Sequence, residues 1–211
     1  MSQQADAKSP GSTDWQAFMT NPAGYADAAR LVACFDGAIS EATCERMLRS
    51  PRLHQRVSAL LFDRYGLASA VSHEPDEKVD RAIVLSSLEE LEELALRSGA
   101  IYWAGRIAAV IDGREAAALQ AALGADLCAL AVANRDLAGS MQLFEAAEDI
   151  HERVYADGLR CLSAWCQTMP DETAMRVRLK LMPHDIIDGA VVSPFDEVGP
   201  VIVRRAMDYT E

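Results

Sequence analysis

The chain has 211 residues, a formal net charge of -12 and a sequence pI near 4.8; half of its residues are hydrophobic and only 6% are aromatic. This length buries a core without staples, and the alanine- and leucine-rich apolar content favours helix over sheet. The acidity argues against nucleic acid or an anionic membrane as the main partner, because phosphate binding relies on clustered cations.

Met1 to Thr13 is polar and rich in Ser, Gln and Gly, with no apolar core of a secretory leader, and is expected to form a disordered tail with order beginning near Trp15. No apolar run approaches the roughly 20 residues that span a bilayer, so a cytoplasmic chain without membrane insertion is expected. The five cysteines, Cys34, Cys44, Cys128, Cys161 and Cys166, are odd in number and sparse, and read as reduced thiols packed as small hydrophobes.

Asn21-Pro22 signals a helix start, and Tyr25, Ala28, Ala29, Val32 and Phe35 follow at helical spacing up to Gly37. A second helix is expected from Ser40 to Arg49 and a third from Arg52 to Tyr65, ended by Gly66. His73 to Lys78, with Pro75 and three acids, reads as an interior linker. Ser87-Leu88-Glu89-Glu90 matches a capping box, with Ser98-Gly99 as the expected close of that helix. Asp112 starts a further helix to Leu123, Gly124 breaks it, and another runs from Asp126 to Asn134. A long helix from about Met141 to Thr168 has Gly158 as its expected weakest point.

After Pro170 the pattern changes. In Met175 to Pro183, Arg176, Arg178 and Lys180 alternate with Val177, Leu179 and Leu181, which predicts a half-buried strand with its charges facing solvent or a partner. Its expected companion is Val198 to Val203. His184 to Gly199 reads as loop, and Val201 to Tyr209 as either a second strand or a terminal helix. The fold class is therefore mainly α, a single-domain helical bundle over 14–211 with a short β element around 175–182. Leu31, Leu60, Leu91, Ile107, Leu119, Leu130, Leu162 and Trp165 are expected in or beside the core.

Chemistry is hard to find in the pattern. Cys161 and Cys166 lie about 140° apart on a helix, which does not suit a metal pair. His151 beside Glu148, Asp149 and Glu152 has no accompanying nucleophile motif, and a solvated helix face explains it. There is no phosphate-cradling glycine loop, nucleophile elbow or zinc-protease motif. No enzyme activity, cofactor or metal is expected. Glu89, Glu90, Glu92 and Glu93 cover the polar side of a helix whose Leu88, Leu91 and Ala95 share the other, and they are the candidate face for a basic partner, with Arg176, Arg178 and Lys180 as a second candidate set.

The order Gly158-Leu159-Arg160-Cys161-Leu162-Ser163-Ala164-Trp165, Pro170, then Met175 to Pro183 resembles the SctK (YscK-type) family, an accessory subunit of the bacterial type III secretion sorting platform. Asn21-Pro22-Ala23-Gly24-Tyr25 is similar to that family's Pro-Ala-x-Tyr element, and Leu94 to Gly99, Ile107 and Leu119 to Gly124 are similar to its central helices. The polar amino-terminal extension and the acidic face at Glu89 to Glu93 depart from the pattern. The resemblance implies a non-enzymatic cytoplasmic adaptor at the base of the injectisome, peripheral to the inner membrane. Its implied partners are the cytoplasmic domain of the ring protein SctD and the pod protein SctQ. A secretion chaperone or regulator that holds export substrates is the alternative.

Overall fold

The computed structural model describes residues 10–67, 73–139 and 150–209. The chain divides into two compact units, Met1–Ser87 with Asp171–Pro183, and Leu88–Pro170 with His184–Glu211. One domain was expected; the first boundary falls at Ser87, beyond the acidic stretch at His73 to Lys78 that reads as a linker. Residues 1–9 of the expected tail and 141–149 of the expected long helix, including Glu148 and Asp149, lie outside the described residues.

The first unit is built from α1 (Pro10–Thr20), a 3-10 turn at Pro22–Gly24, α2 (Ala28–Ala33), α3 (Glu41–Leu48), α4 (His54–Tyr65), α5 (Lys78–Leu85) and α11 (Asp171–Lys180). Helix begins at Pro10, earlier than the polar composition predicts. Asp27 caps α2 by accepting from the Ala29 amide, and Gly66 ends α4 in the left-handed conformation (φ 61°) that a side chain disfavours. Ala23, Leu31, Cys44, Val57 and Leu61 form one apolar cluster, with Phe35, Met47 and Tyr65 packed against it.

The expected strand at Arg176 to Leu181 is corrected to helix α11, and its expected companion lies in helix as well. Arg, Lys, Leu, Met and Ala are all good helix formers. Asp171 and Glu172 in the first turn and Arg178 and Lys180 in the last complement the helix dipole. The alternation misled because α11 is buried nearly all round. Thr173, Ala174, Arg176, Val177, Leu179 and Lys180 are all buried, so no apolar stripe of 3.6-residue period marks it.

Three buried cations tie this unit together at helix ends. Arg176 Nε donates to Met19 O in the last turn of α1 (3.2 Å). Lys180 Nζ donates to Val84 O (2.7 Å) and Ser86 O (2.5 Å) at the end of α5. Arg30 Nε donates to Leu181 O just past α11 (2.9 Å), where the Asp27 amide also donates to Leu179 O (2.8 Å). The last carbonyls of a helix have no partner within it and carry partial negative charge, so a cation there satisfies acceptors and dipole together. Lys180 Nζ also lies over the rings of Phe18 (5.1 Å) and Tyr25 (5.5 Å).

The second unit contains α6 (Leu88–Tyr102), α7 (Ala104–Ala108), α8 (Gly113–Leu123), α9 (Ala125–Ala133), a 3-10 turn at Arg135–Leu137, α10 (Ile150–Gln167), α12 (Asp185–Asp188) and α13 (Phe195–Met207). Asp112 caps α8 through the amides of Arg114 and Glu115, as its position predicts. Ser98-Gly99 does not end α6, which runs on to Tyr102. Val201 to Met207 is helical, which decides between the two readings of that segment. Of the expected core, Leu31, Leu91, Ile107, Leu119, Leu130, Leu162 and Trp165 are buried, whereas Leu60 is exposed on α4.

Helix α10 is packed against α6 and α13 at three glycines. A Cβ on Gly99 of α6 would meet Val154 O at 1.8 Å, and one on Gly158 of α10 would meet Ala95 O at 1.7 Å. A Cβ on Gly199 of α13 would lie 2.9 Å from Ala164 Cβ and 3.0 Å from Cys161 Cα. Gly158 is thus a contact point rather than a weakness. Trp103 Nε1 donates to Asp157 Oδ2 (2.8 Å) and Arg160 Nη1 to Asp157 Oδ1 (2.5 Å), so a buried carboxylate one residue before Gly158 has two donors.

An exposed helical Gly→Ala change stabilises by up to about 1 kcal/mol. Here Gly158→Ala is expected to destabilise by about 3 kcal/mol or more, because backbone must move to admit the methyl. Gly113→Ala, with nothing within 4 Å of the added carbon, is the neutral comparison. Urea unfolding of both variants checks the sign.

Candidate functional site

The sequence-based candidates fall in different units and different environments. Glu89, Glu90, Glu92 and Glu93 are exposed on the first two turns of α6, in the second unit. Glu93 pairs with Arg97 one turn on, and Glu92 adds to the burial that raises the Tyr155 phenol above its usual range. The helix positions these acids simply: Leu91, Leu94 and Ala95 are buried, which turns the intervening glutamates outward.

Arg176 and Lys180 are not a solvent-facing or partner-facing set. Both are buried in the first unit, one turn apart on α11, and Arg178 is half-buried. Burial lowers the Arg176 guanidinium from its ordinary value, against the smaller raising effects of Tyr25 and Glu172. The Tyr25 phenol is raised by its own burial, with Arg176 opposing, and its hydroxyl donates to Phe18 O (2.8 Å). These cations hold helix ends, and their chemistry is spent there.

A feature the sequence did not single out lies in the second unit. A concavity of about 180 Å3 opens beside α10 and the 185–195 segment, with Arg160, Ser163, Ile186, Ala190, Val192 and Phe195 among its walls. The Arg160 guanidinium sits over the Phe195 ring at 5.8 Å, and that ring stacks on Tyr102 at 4.6 Å. Ser163 Oγ donates to Ile187 O (3.4 Å), bringing α12 against α10. The signal available was Val191-Val192 between Gly189 and Pro194, an apolar pair inside an otherwise loop-like stretch.

Among the described residues, no group of three or more His, Cys, Asp or Glu side chains is arranged to hold a metal ion. Burial raises the thiols of Cys34, Cys44, Cys128 and Cys161, which works against thiolate chemistry. No single described helix is long and apolar enough to cross a membrane; α8 and α9 pass such a test only as a pair bent by 107°.

Over 152 residues the chain is 28% identical to the nodulation protein NolU of Rhizobium fredii, a match that covers 72% of this chain and 68% of the relative. The nodulation protein NolU of Sinorhizobium fredii matches to the same extent. No protein-family model and no solved structure matches the chain.

Were Lys180 on an exposed strand, its replacement by Met would change stability by less than about 0.5 kcal/mol. As the donor to two buried carbonyls, Lys180→Met is expected to cost about 3 kcal/mol or more. Equilibrium urea unfolding separates the two outcomes.

Proposed function

We propose that this chain is a non-enzymatic adaptor of the type III secretion sorting platform, bridging the cytoplasmic domain of the ring protein SctD to the pod protein SctQ. Its place in this reading is the cytoplasmic face of the inner membrane, at the base of the injectisome. The observation that carries the proposal is where the SctK-like segments lie. The Asn21 to Tyr25 element forms the 3-10 turn with Pro22 and Ala23 buried, and Gly158 to Trp165 forms the glycine contact and core of α10. Met175 to Leu181 supplies the cation anchors of α11. The resemblance therefore rests on framework residues of both units, where substitution is most constrained by packing.

The similarity to the nodulation protein NolU, over 72% of the chain, lends support. A chaperone or regulator of export substrates is the rival reading. The absence of any strand among the described residues favours the adaptor, because such chaperones more often carry a substantial sheet. The exposed glutamates of α6 supply a surface for a basic partner.

In a type III secreting bacterium that carries this chain, the tagged protein is expected to co-purify SctD and SctQ homologues, and its deletion to stop pod assembly and secretion. Normal secretion in the deletion strain would overturn the adaptor role. Changing Glu89, Glu90, Glu92 and Glu93 together to Lys is expected to slow association with a purified partner by about tenfold or more at low salt, and by much less at high salt. Its melting temperature should fall only modestly, through loss of the Glu93–Arg97 pair and of the acids in the first turn of α6, because all four side chains are exposed. Wild-type association rates at low ionic strength would remove the acidic face from the interface.

A further inference from the structure

We infer that the concavity beside α10 is an anchor site for one aromatic side chain of a partner protein segment. Its size is the first argument. At about 180 Å3 it is smaller than the roughly 300–1,000 Å3 of pockets that enclose metabolites or cofactors. A volume of that order suits a single large amino-acid side chain, the unit with which interface hot spots are filled.

The walls are the second argument. Ile186, Ala190, Val191, Val192 and Phe195 are apolar, and Val192 is 62% exposed although it lines a concave surface. An apolar lip left in water around a hollow gains from being covered. The floor is rigid. Ser163 is fully buried, and Phe195 is held between Tyr102 and the Arg160 guanidinium.

The third argument selects an aromatic occupant over an aliphatic one. Arg160 is fixed by Asp157 through Nη1 while its side chain stays 40% exposed at the cavity, so a planar cation is presented already oriented. A ring entering beside it meets the guanidinium and the edge of the Phe195 ring, whose faces are taken by Tyr102 and Arg160, contacts that an aliphatic side chain cannot match. Asp185 at the mouth adds an acceptor for the backbone or a polar edge of the entering segment.

The inference rests on the adaptor reading for the occupant being a protein segment, and it adds where that segment is gripped. The test is a titration of N-acetyl-tryptophanamide into the full-length 15N-labelled protein, followed by amide shifts. Saturable shifts are expected at Arg160, Ser163 and 186–195, with N-acetyl-leucinamide binding about fivefold more weakly, the ratio that roughly 1 kcal/mol of cation–π contact gives. Arg160→Leu is expected to bring the two probes to equal affinity, and Ala190→Trp to abolish the shifts by filling the hollow. Absence of saturable shifts, or shifts centred elsewhere, overturns the site. Equal affinities of the two probes for the wild type overturn the aromatic assignment. A failed titration with intact co-purification of SctD and SctQ homologues removes the pocket alone. A saturable one with failed co-purification keeps the pocket and removes the bridge.

Discussion

Buried positive charge at helix carboxyl ends is the interaction on which the first unit depends. Arg176, Lys180 and Arg30 are each almost wholly enclosed, and the carbonyls they bind terminate α1, α5 and α11 respectively. Taking a cation out of water costs several kcal/mol unless its donors are satisfied. A helix end supplies several orphan acceptors with aligned dipoles, so one side chain relieves a cluster of unmet carbonyls. Each of these bonds links residues far apart in sequence: 157 positions for Arg176, 96 for Lys180 with Val84, and 151 for Arg30. A segment from the last fifth of the chain is in this way built into a unit otherwise made from its beginning.

The second unit is organised by a different constraint, the close approach of backbones. Gly99 and Gly158 each face a carbonyl of the opposite helix, and Gly199 brings α13 onto the same central helix. With no side chain between them, α6 and α10 are held at a distance that leaves no room for a methyl group. That rigid pairing determines what is presented outside it: the glutamates of α6 project to solvent, and Arg160, one turn along α10 from the Asp157 anchor, reaches the hollow formed with the 185–195 segment. Interior packing and the two candidate surfaces are consequences of the same contact.

Helix ends were legible because their determinants are local. Asp112 and Gly66 act on amides and dihedrals within a few residues, and the structure has them doing so. Exposure of the α6 glutamates followed from the spacing of Leu88, Leu91 and Ala95, of which Leu91 and Ala95 are buried. The reading failed at α11, where six alternating residues imitated a strand, and at Leu60, where helical spacing did not tell a core leucine from one at the edge. Gly99 and Gly158 were also misread, as a helix stop and a weak point, since a glycine in a helix looks the same whether it breaks the helix or admits a neighbour.

By itself, then, the sequence determined a mainly helical protein, the ends of α3, α4, α8 and α9, seven of the eight core residues it named, and one charged outer face, all of which depend on propensity and period over a turn or two. Tertiary structure alone decided the division into two units, the inward direction of Arg176 and Lys180, and the hollow beside Arg160. Each of these depends on which distant backbone carbonyl, ring or loop lies opposite a side chain. A cation among aliphatics reads as surface until a helix end 96 residues away is brought to its tip.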